Sequence, residues 1–310
     1  MKKLLLLLFL FFALLITGSY LFFPAKINFK KTIYAQTSPN SAVKFLLNEK
    51  NWHSWWPVSM NSTSDSVFPF KDFEYAVNWK MISGDSVLIK SKDGFVRSLI
   101  NVVPISKDSV GFQWEGEFQS QKNIFNRIRN YYIQKKLENN AGAVLNALKN
   151  HLENDEKVYG LKIEHRMVVD TLLISTKKVF AAYPTVEQVY ELVNDLKKYI
   201  IVNAALQTNP PMLHVVKDSN LFKTMVAIPI NKTVQNSERF IIKKMVAGKI
   251  LISEIKGGSG NAEAGIKILE SYMDDYHLTS PAISFQSLVT DRQKEKDSSK
   301  WVTKIYYPIM

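Results

Sequence analysis

The stretch Lys300-Trp-Val-Thr-Lys-Ile-Tyr-Tyr-Pro-Ile309 decides how the second half of the chain folds. β-Branched and aromatic residues dominate it, and a proline stands near its end, as suits a closing or edge strand. It has an echo at Lys223-Thr-Met-Val-Ala-Ile-Pro-Ile230, where the same kind of apolar run closes on Pro-Ile. Each copy follows a helix-patterned segment and a short strand. From about residue 164 onward the chain therefore reads as a duplicated strand-helix-strand-strand unit. In copy one the strands fall over residues 172–181, 212–216 and 224–230, with a helix opening at Tyr183-Pro-Thr185. In copy two they fall over 248–255, 282–289 and 301–309, with a Gly257-Gly-Ser-Gly260 turn and a helix over 262–276. Two such units side by side make one antiparallel sheet with helices on one face.

Working outward, 310 residues hold two domains and an N-terminal segment. There is no cysteine, which excludes disulfides, thiolate nucleophiles and cysteine-based zinc sites. The net charge is +12, but basic and acidic residues are interleaved in both halves. That is a solvated basic surface, and no nucleic-acid partner is expected. Met1-Lys-Lys3 is followed by a charge-free run over residues 4–23, about the length that crosses a hydrocarbon core as a helix. An N-terminal transmembrane helix over residues 1–24 is expected, with a cleaved signal peptide, which usually has a shorter apolar region, as the competing reading. The chain would then be a single-pass cell-membrane protein with the soluble part outside the cytoplasm. Five histidines are scattered without ligand spacing, so no metal site is expected. The Gly257–Gly260 segment lacks the Gly-Lys-Ser/Thr of a phosphate loop and reads as a strand-to-helix turn.

Residues 25–155 form the first soluble domain. A strand over 27–35 leads to Ser38-Pro39, an N-cap followed by proline at the first helical position. Asn51-Trp-His-Ser-Trp-Trp-Pro57 ends that helix. Strand-like segments at 73–81, 87–90, 95–103 and 110–118 are separated by Ser83-Gly84-Asp85, Lys92-Asp93-Gly94 and Lys107-Asp108-Ser109, all turn chemistry. From 123 to 152 the period becomes helical, with Ile124, Ile128, Tyr131, Leu137, Val144, Leu145, Leu148 and Leu152 on one stripe. This order, with its tryptophan cluster and the Leu145-Asn-Ala-Leu-Lys149 ending, resembles the SRPBCC superfamily, also called START-like or helix-grip. The resemblance implies a sheet gripping the long helix around an apolar cavity lined by Trp79, Phe112 or Trp114. Trp52, Trp55 and Trp56 have a second use open to them, at a lipid interface.

Residues 160–310 resemble the gyrase-inhibitor-like effector-binding domain of AraC- and MerR-type multidrug regulators. The family's tail, close to W-x-T-x-I-Y-Y-P, is matched by Trp301, Thr303, Ile305, Tyr306, Tyr307 and Pro308, and its threonine-aspartate by Thr290-Asp291. The family's pocket centres on a strand glutamate in W-E-x-Y, and here that position reads Phe285-Gln286-Ser287-Leu288. Gly258-Ser259-Gly260 replaces G-x-Y, and Lys304 stands where the tail often carries an acid. A buried carboxylate ringed by aromatics selects lipophilic cations. Gln286 removes that charge, and it cannot act as the general base assigned to the glutamate in some relatives.

The chain thus reads as α+β: an N-terminal transmembrane helix, a helix-grip antiparallel sheet with a long C-terminal helix, then the duplicated sheet domain. Gln286, Trp301, Tyr306 and Tyr183 are the expected ligand-binding residues of the second domain, and Trp79 and Trp114 those of the first. No catalytic set and no cofactor is expected. The leading function is non-catalytic binding of a small hydrophobic or neutral molecule or lipid in a degenerate effector pocket, with the membrane as a second partner through residues 4–23. A cyclase- or hydrolase-like enzyme is the alternative, with Glu115 and Glu117 as the nearest acids. A third possibility is a ligand-free scaffold for protein partners that the sequence does not identify.

Overall fold

A computed structural model of the protein describes residues 2–23, 26–58, 66–92, 94–119, 123–169, 172–245 and 247–310. The chain divides into two compact units, Met1–Asn154 and Asp155–Met310.

The first unit opens with helix α1 (Lys2–Phe22) and strand β1 (Lys26–Ala35). Among the described residues no helix is long and apolar enough to cross a membrane. The expected transmembrane helix is corrected accordingly. Thr17, Gly18 and Ser19 interrupt the apolar run near the end of α1. Thr17 and Ser19 return their hydroxyls to the carbonyls of Ala13 and Leu15, at 2.8 and 2.7 Å. Arg127 donates to the carbonyl of Phe23 at 3.2 Å and lies over the Tyr20 ring. What remains uninterrupted is residues 4–16, about 20 Å of helix at ~1.5 Å per residue, against a hydrocarbon core of about 30 Å.

Ser38 caps α2 (Pro39–Leu47) by accepting from the Ser41 amide, with Pro39 at the first turn as its chemistry demands. The tryptophan segment does not simply end that helix. It forms a second one, α3 (Glu49–Trp55). Strands β2 (Val67–Phe70), β3 (Phe73–Lys80), β4 (Gly84–Ser91), β5 (Gly94–Ser106) and β6 (Ser109–Gln119) then form an antiparallel meander in the order β1-β6-β5-β4-β3-β2. The first expected turn is shifted. Gly84 and Asp85 lie inside β4, and the hairpin closes through the Met81 amide on the Gly84 carbonyl. Asp93 of the second expected turn lies outside the described residues. Asn123 caps the long helix α4 (Ile124–Leu152), which packs on β1. Its expected apolar stripe holds from Leu137 to Leu152, whereas Ile124, Ile128 and Tyr131 are not buried.

In the second unit, α5 (Asp155–Tyr159) and β7 (Glu164–Met167) precede the duplicated core. Copy one is β8 (Leu172–Phe180), α6 (Val186–Val202), β9 (Met212–Asp218) and β10 (Leu221–Pro229). After β11 (Ile241–Lys244), copy two is β12 (Lys249–Lys256), α7 (Ser259–Asp275), β13 (Phe285–Leu288) and β14 (Val302–Ile309). The sheet runs β11-β8-β10-β9-β13-β14-β12-β7, so the two copies meet back to back at β9 and β13. Thr185 and Gln188 form a reciprocal capping box at the start of α6. Gly257 makes the turn into α7 at φ 114°, where a Cβ would lie 2.4 Å from the Asn261 amide nitrogen. Helix α6 covers Ile174, Leu213, Val226, Ile228 and Leu288, and α7 covers Leu251, Ile255, Ile305 and Ile309. Both helices therefore lie on one face of the sheet. Leu173, Met212, Ala227, Ile250 and Phe285, the alternate residues of the same strands, form a separate apolar cluster on the opposite face.

Candidate functional site: an apolar cleft and a cationic groove

In the first unit the gripping face of the sheet is filled. Phe112 and Trp114 have no exposed surface, so neither borders a space that admits water. The Trp114 indole donates to Ser98 Oγ at 3.0 Å, and Ser98 donates on to the Val87 carbonyl. Trp79 is not on that face. It sits beside a bulge in β3 and is 72% exposed. The tryptophan trio is core rather than a lipid-facing patch. Trp52, Trp55 and Trp56 are buried, and their indole nitrogens donate to the carbonyls of Leu46, Phe45 and Pro69. Glu115 and Glu117 alternate with the buried side chains of β6, on the face turned from the core. Glu115 is half-exposed beside Lys30, 3.7 Å away, and Glu117 is exposed; both line a recess of about 540 Å³ on that outer face, and neither is a buried acid. Among the described residues, the buried acid of this unit is one that sequence reasoning placed in a turn. Asp85 has no exposed surface and no hydrogen-bond partner for either oxygen. Burial pushes its carboxyl up to about 6, against the pull of Lys80.

In the second unit, three of the four expected residues come together on the helix-covered face. Gln286 is buried on β13 with Oε1 unpartnered, and the Tyr183 hydroxyl is close to it. Burial raises the Tyr183 phenol, with Glu263 acting in the same direction. Trp301 is buried and donates its indole N–H to the Glu295 carbonyl at 2.9 Å. What lies over it was not foreseen. The Arg292 guanidinium stands 4.7 Å from the Trp301 ring centre and donates to Thr303 Oγ1 at 2.8 Å. Its backbone amide donates to the Tyr190 hydroxyl. Arg292 is 4% exposed, and no carboxylate pairs with it among the described residues. Burial lowers its pKa from the ordinary guanidinium value. A buried guanidinium thus lies on the sheet face that carries Gln286, the position of the acid the resemblance implies. The one sequence signal was its position directly after Thr290-Asp291.

Tyr306 and Lys304 leave this groove. β14 pairs with β13 so that Gln286 faces Ile305, while Lys304 pairs with Ser287 and Tyr306 with Phe285. Alternation puts Lys304 and Tyr306 on the opposite face. Lys304 there lies 3.9 Å from Glu254, and Tyr306 stacks on Phe285 with ring centres 4.9 Å apart.

That opposite face carries a cleft of about 430 Å³. Leu173, Met212, Met225, Ala227 and Phe285 form its floor. Met245, Ala247 and Gly248 wall one side, Pro281, Ala282 and Ile283 another, and Pro308, Ile309 and Met310 close an end. No acid lines it. The polar groups are His214, Lys243, Lys244 and Lys249. His214 Nδ1 lies 2.7 Å from the Ser284 carbonyl and so carries the proton. Burial holds the His214 imidazole below the ordinary histidine value, the Ser284 carbonyl opposes this, and Lys243 lowers it further. An apolar hollow with a few polar groups at its edge is the usual form of a small-molecule site.

No family model and no curated protein matches the chain. Among solved structures, the C-terminal domain of EcmrR is 13% identical over 48% of this chain and 98% of its own, with a TM-score of 0.42. SAV2435 bound to tetraphenylphosphonium is 13% identical over 48% of this chain and 94% of its own, at 0.32. A START superfamily protein from Mycobacterium smegmatis is 13% identical over 41% of this chain and 97% of its own, at 0.31. All three likenesses are remote, and the architecture described above rests on strand order and packing alone.

Proposed function

We propose that the protein binds a small, largely apolar molecule without transforming it, and that the site is the cleft on the helix-free face of the second sheet. The observation that supports this is the cleft itself. Over Met212–Leu213 and Met225–Ile228, strands β9 and β10 carry apolar side chains on both faces, and the cleft is where the second apolar face stays open. Titration of the full chain with Nile red, a neutral lipophilic dye, tests it. Dye fluorescence rises on binding, and Ala227→Trp, which fills the floor, abolishes the rise while leaving the melting temperature within a few degrees. An undiminished rise in the Ala227→Trp protein contradicts the assignment.

Association of α1 with lipid belongs to the same proposal. The charge-free residues 4–16 support it, as do Leu7, Phe9, Phe11 and Leu14, each exposed by 61% or more. Flotation with phosphatidylcholine vesicles checks it: the chain floats, and Phe9→Asp combined with Phe11→Asp leaves it at the bottom of the gradient.

A further inference from the structure

The cleft has a neighbour. A second recess of about 430 Å³ adjoins it on the same sheet face and shares His214, Met225, Lys243 and Ile283 with it. Its other walls include Lys177, Lys178 and Lys223, and no acid lines it either among the described residues. Strand register explains the placement. Met225 sits between Lys177 of β8 and His214 of β9, and Lys243 of β11 lies opposite Leu173 on the cleft floor. Two of the lysines are already neutralised, since Lys178 pairs with Glu191 and Lys223 with Asp218. Lys177 and Lys243 have no ion pair among the described residues. Lys243 is moreover only partly exposed, at the seam where the apolar cleft meets the basic recess.

We propose that the ligand is a single-chain amphipathic anion, with its carboxylate in the recess between Lys177 and Lys243 and its apolar tail in the cleft beside Met225 and Phe285. This rests on the small-molecule reading above and supplies its charge. An ammonium at the edge of apolar surface gains a charge-assisted hydrogen bond from a carboxylate that a neutral ligand cannot give. Among the described residues, a cationic amphiphile would meet Lys177 and Lys243 in the recess and Lys244 and Lys249 at the cleft, none in an ion pair, and no acid. Size narrows the class further. At the ~30 Å³ that one water occupies, the cleft holds on the order of fourteen non-hydrogen atoms, enough for one medium-length chain.

The test is calorimetric titration of the full chain with dodecanoate, dodecanol and dodecyltrimethylammonium, each below its micelle concentration. Dodecanoate is expected to bind at least tenfold more tightly than dodecanol, and the ammonium more weakly than either. Combining Lys177→Ala with Lys243→Ala brings dodecanoate down to the affinity of dodecanol and leaves dodecanol unchanged. Raising the salt concentration weakens dodecanoate alone in the unmutated protein, a readout that needs no variant. Equal affinity for the three ligands overturns the proposal, as does an unaltered preference in the double variant. Loss of all three in the Ala227→Trp protein supports the cleft. If none of the three binds even the unmutated chain, the small-molecule reading fails along with the charge assignment.

Discussion

Arg292 and Asp85 are charged side chains buried without an ion pair among the described residues, and each makes a prediction. Arg292 lies under a tryptophan, with a threonine hydroxyl for company and no acid. Gln286→Glu places a carboxyl on the same buried face. The neighbouring guanidinium should lower its folded-state pKa below the unfolded value near ~4.3, so the added stability is present above that pH and lost on acidification. The expected outcome is a higher melting temperature than the unmutated protein at pH 7, with no gain at pH 3. The variant should still not bind dodecyltrimethylammonium, because the new charge is taken up by Arg292. Asp85 runs the other way. Its folded pKa is raised to about 6, so folding favours its protonated form. Its ionisation removes stability as pH rises from about 4 through about 6. Asp85→Asn should therefore melt above the unmutated protein at pH 7 and 8, with the gap closing towards pH 4; a gap independent of pH would show that Asp85 is not charged in the fold. Neither residue was legible as a buried charge. Asp85 reads as a turn residue after glycine, and only the pairing of Lys80 with Asp85 draws it into β4.

Among the elements, the duplicated unit was legible because its signals are local. Proline near the ends of β10 and β14, the Gly257 turn and the Thr185 cap are read within a few residues of one another. Three of the four-residue strands were not: β2, β7 and β11 are too short to show a period and exist through their partners, whereas β13, equally short, was read from its place in the repeat. The same contrast runs through the candidate site. The helix-covered groove could be read from residue types alone, since Gln286 in place of an acid is a chemical statement. The cleft could not, because Met225 and Ala227 reach one floor only through the register of β8, β9 and β10, and its walls come from segments far apart in the chain. A continuous apolar run over 225–230 was the signal available, since a strand with one covered face would alternate. Ile305 anchors the helix-covered side of β14 with no exposed surface. Ile305→Ala should cost roughly 2–5 kcal/mol in urea unfolding, and a change under about 0.5 kcal/mol would mean that α7 does not pack there.

At the scale of the whole molecule, two units with separate cores predict separate folding. A fragment of residues 155–310 should melt cooperatively and keep the dodecanoate affinity of the full chain; a fragment that shows no melting transition would tie the second core to the first. The first unit is then the part whose expected cavity is filled, and the second the part that keeps an open one. The most direct test of that account is a methionine-methyl NMR titration of the full chain with dodecanoate. Met212, Met225, Met245 and Met310 line the cleft, while Met273 is buried on the inner side of α7, across the sheet from it. The account predicts saturable shifts at the four cleft methyls and none at Met273. Shifts at Met273 with the cleft methyls unmoved would put the ligand on the helix-covered face and contradict it.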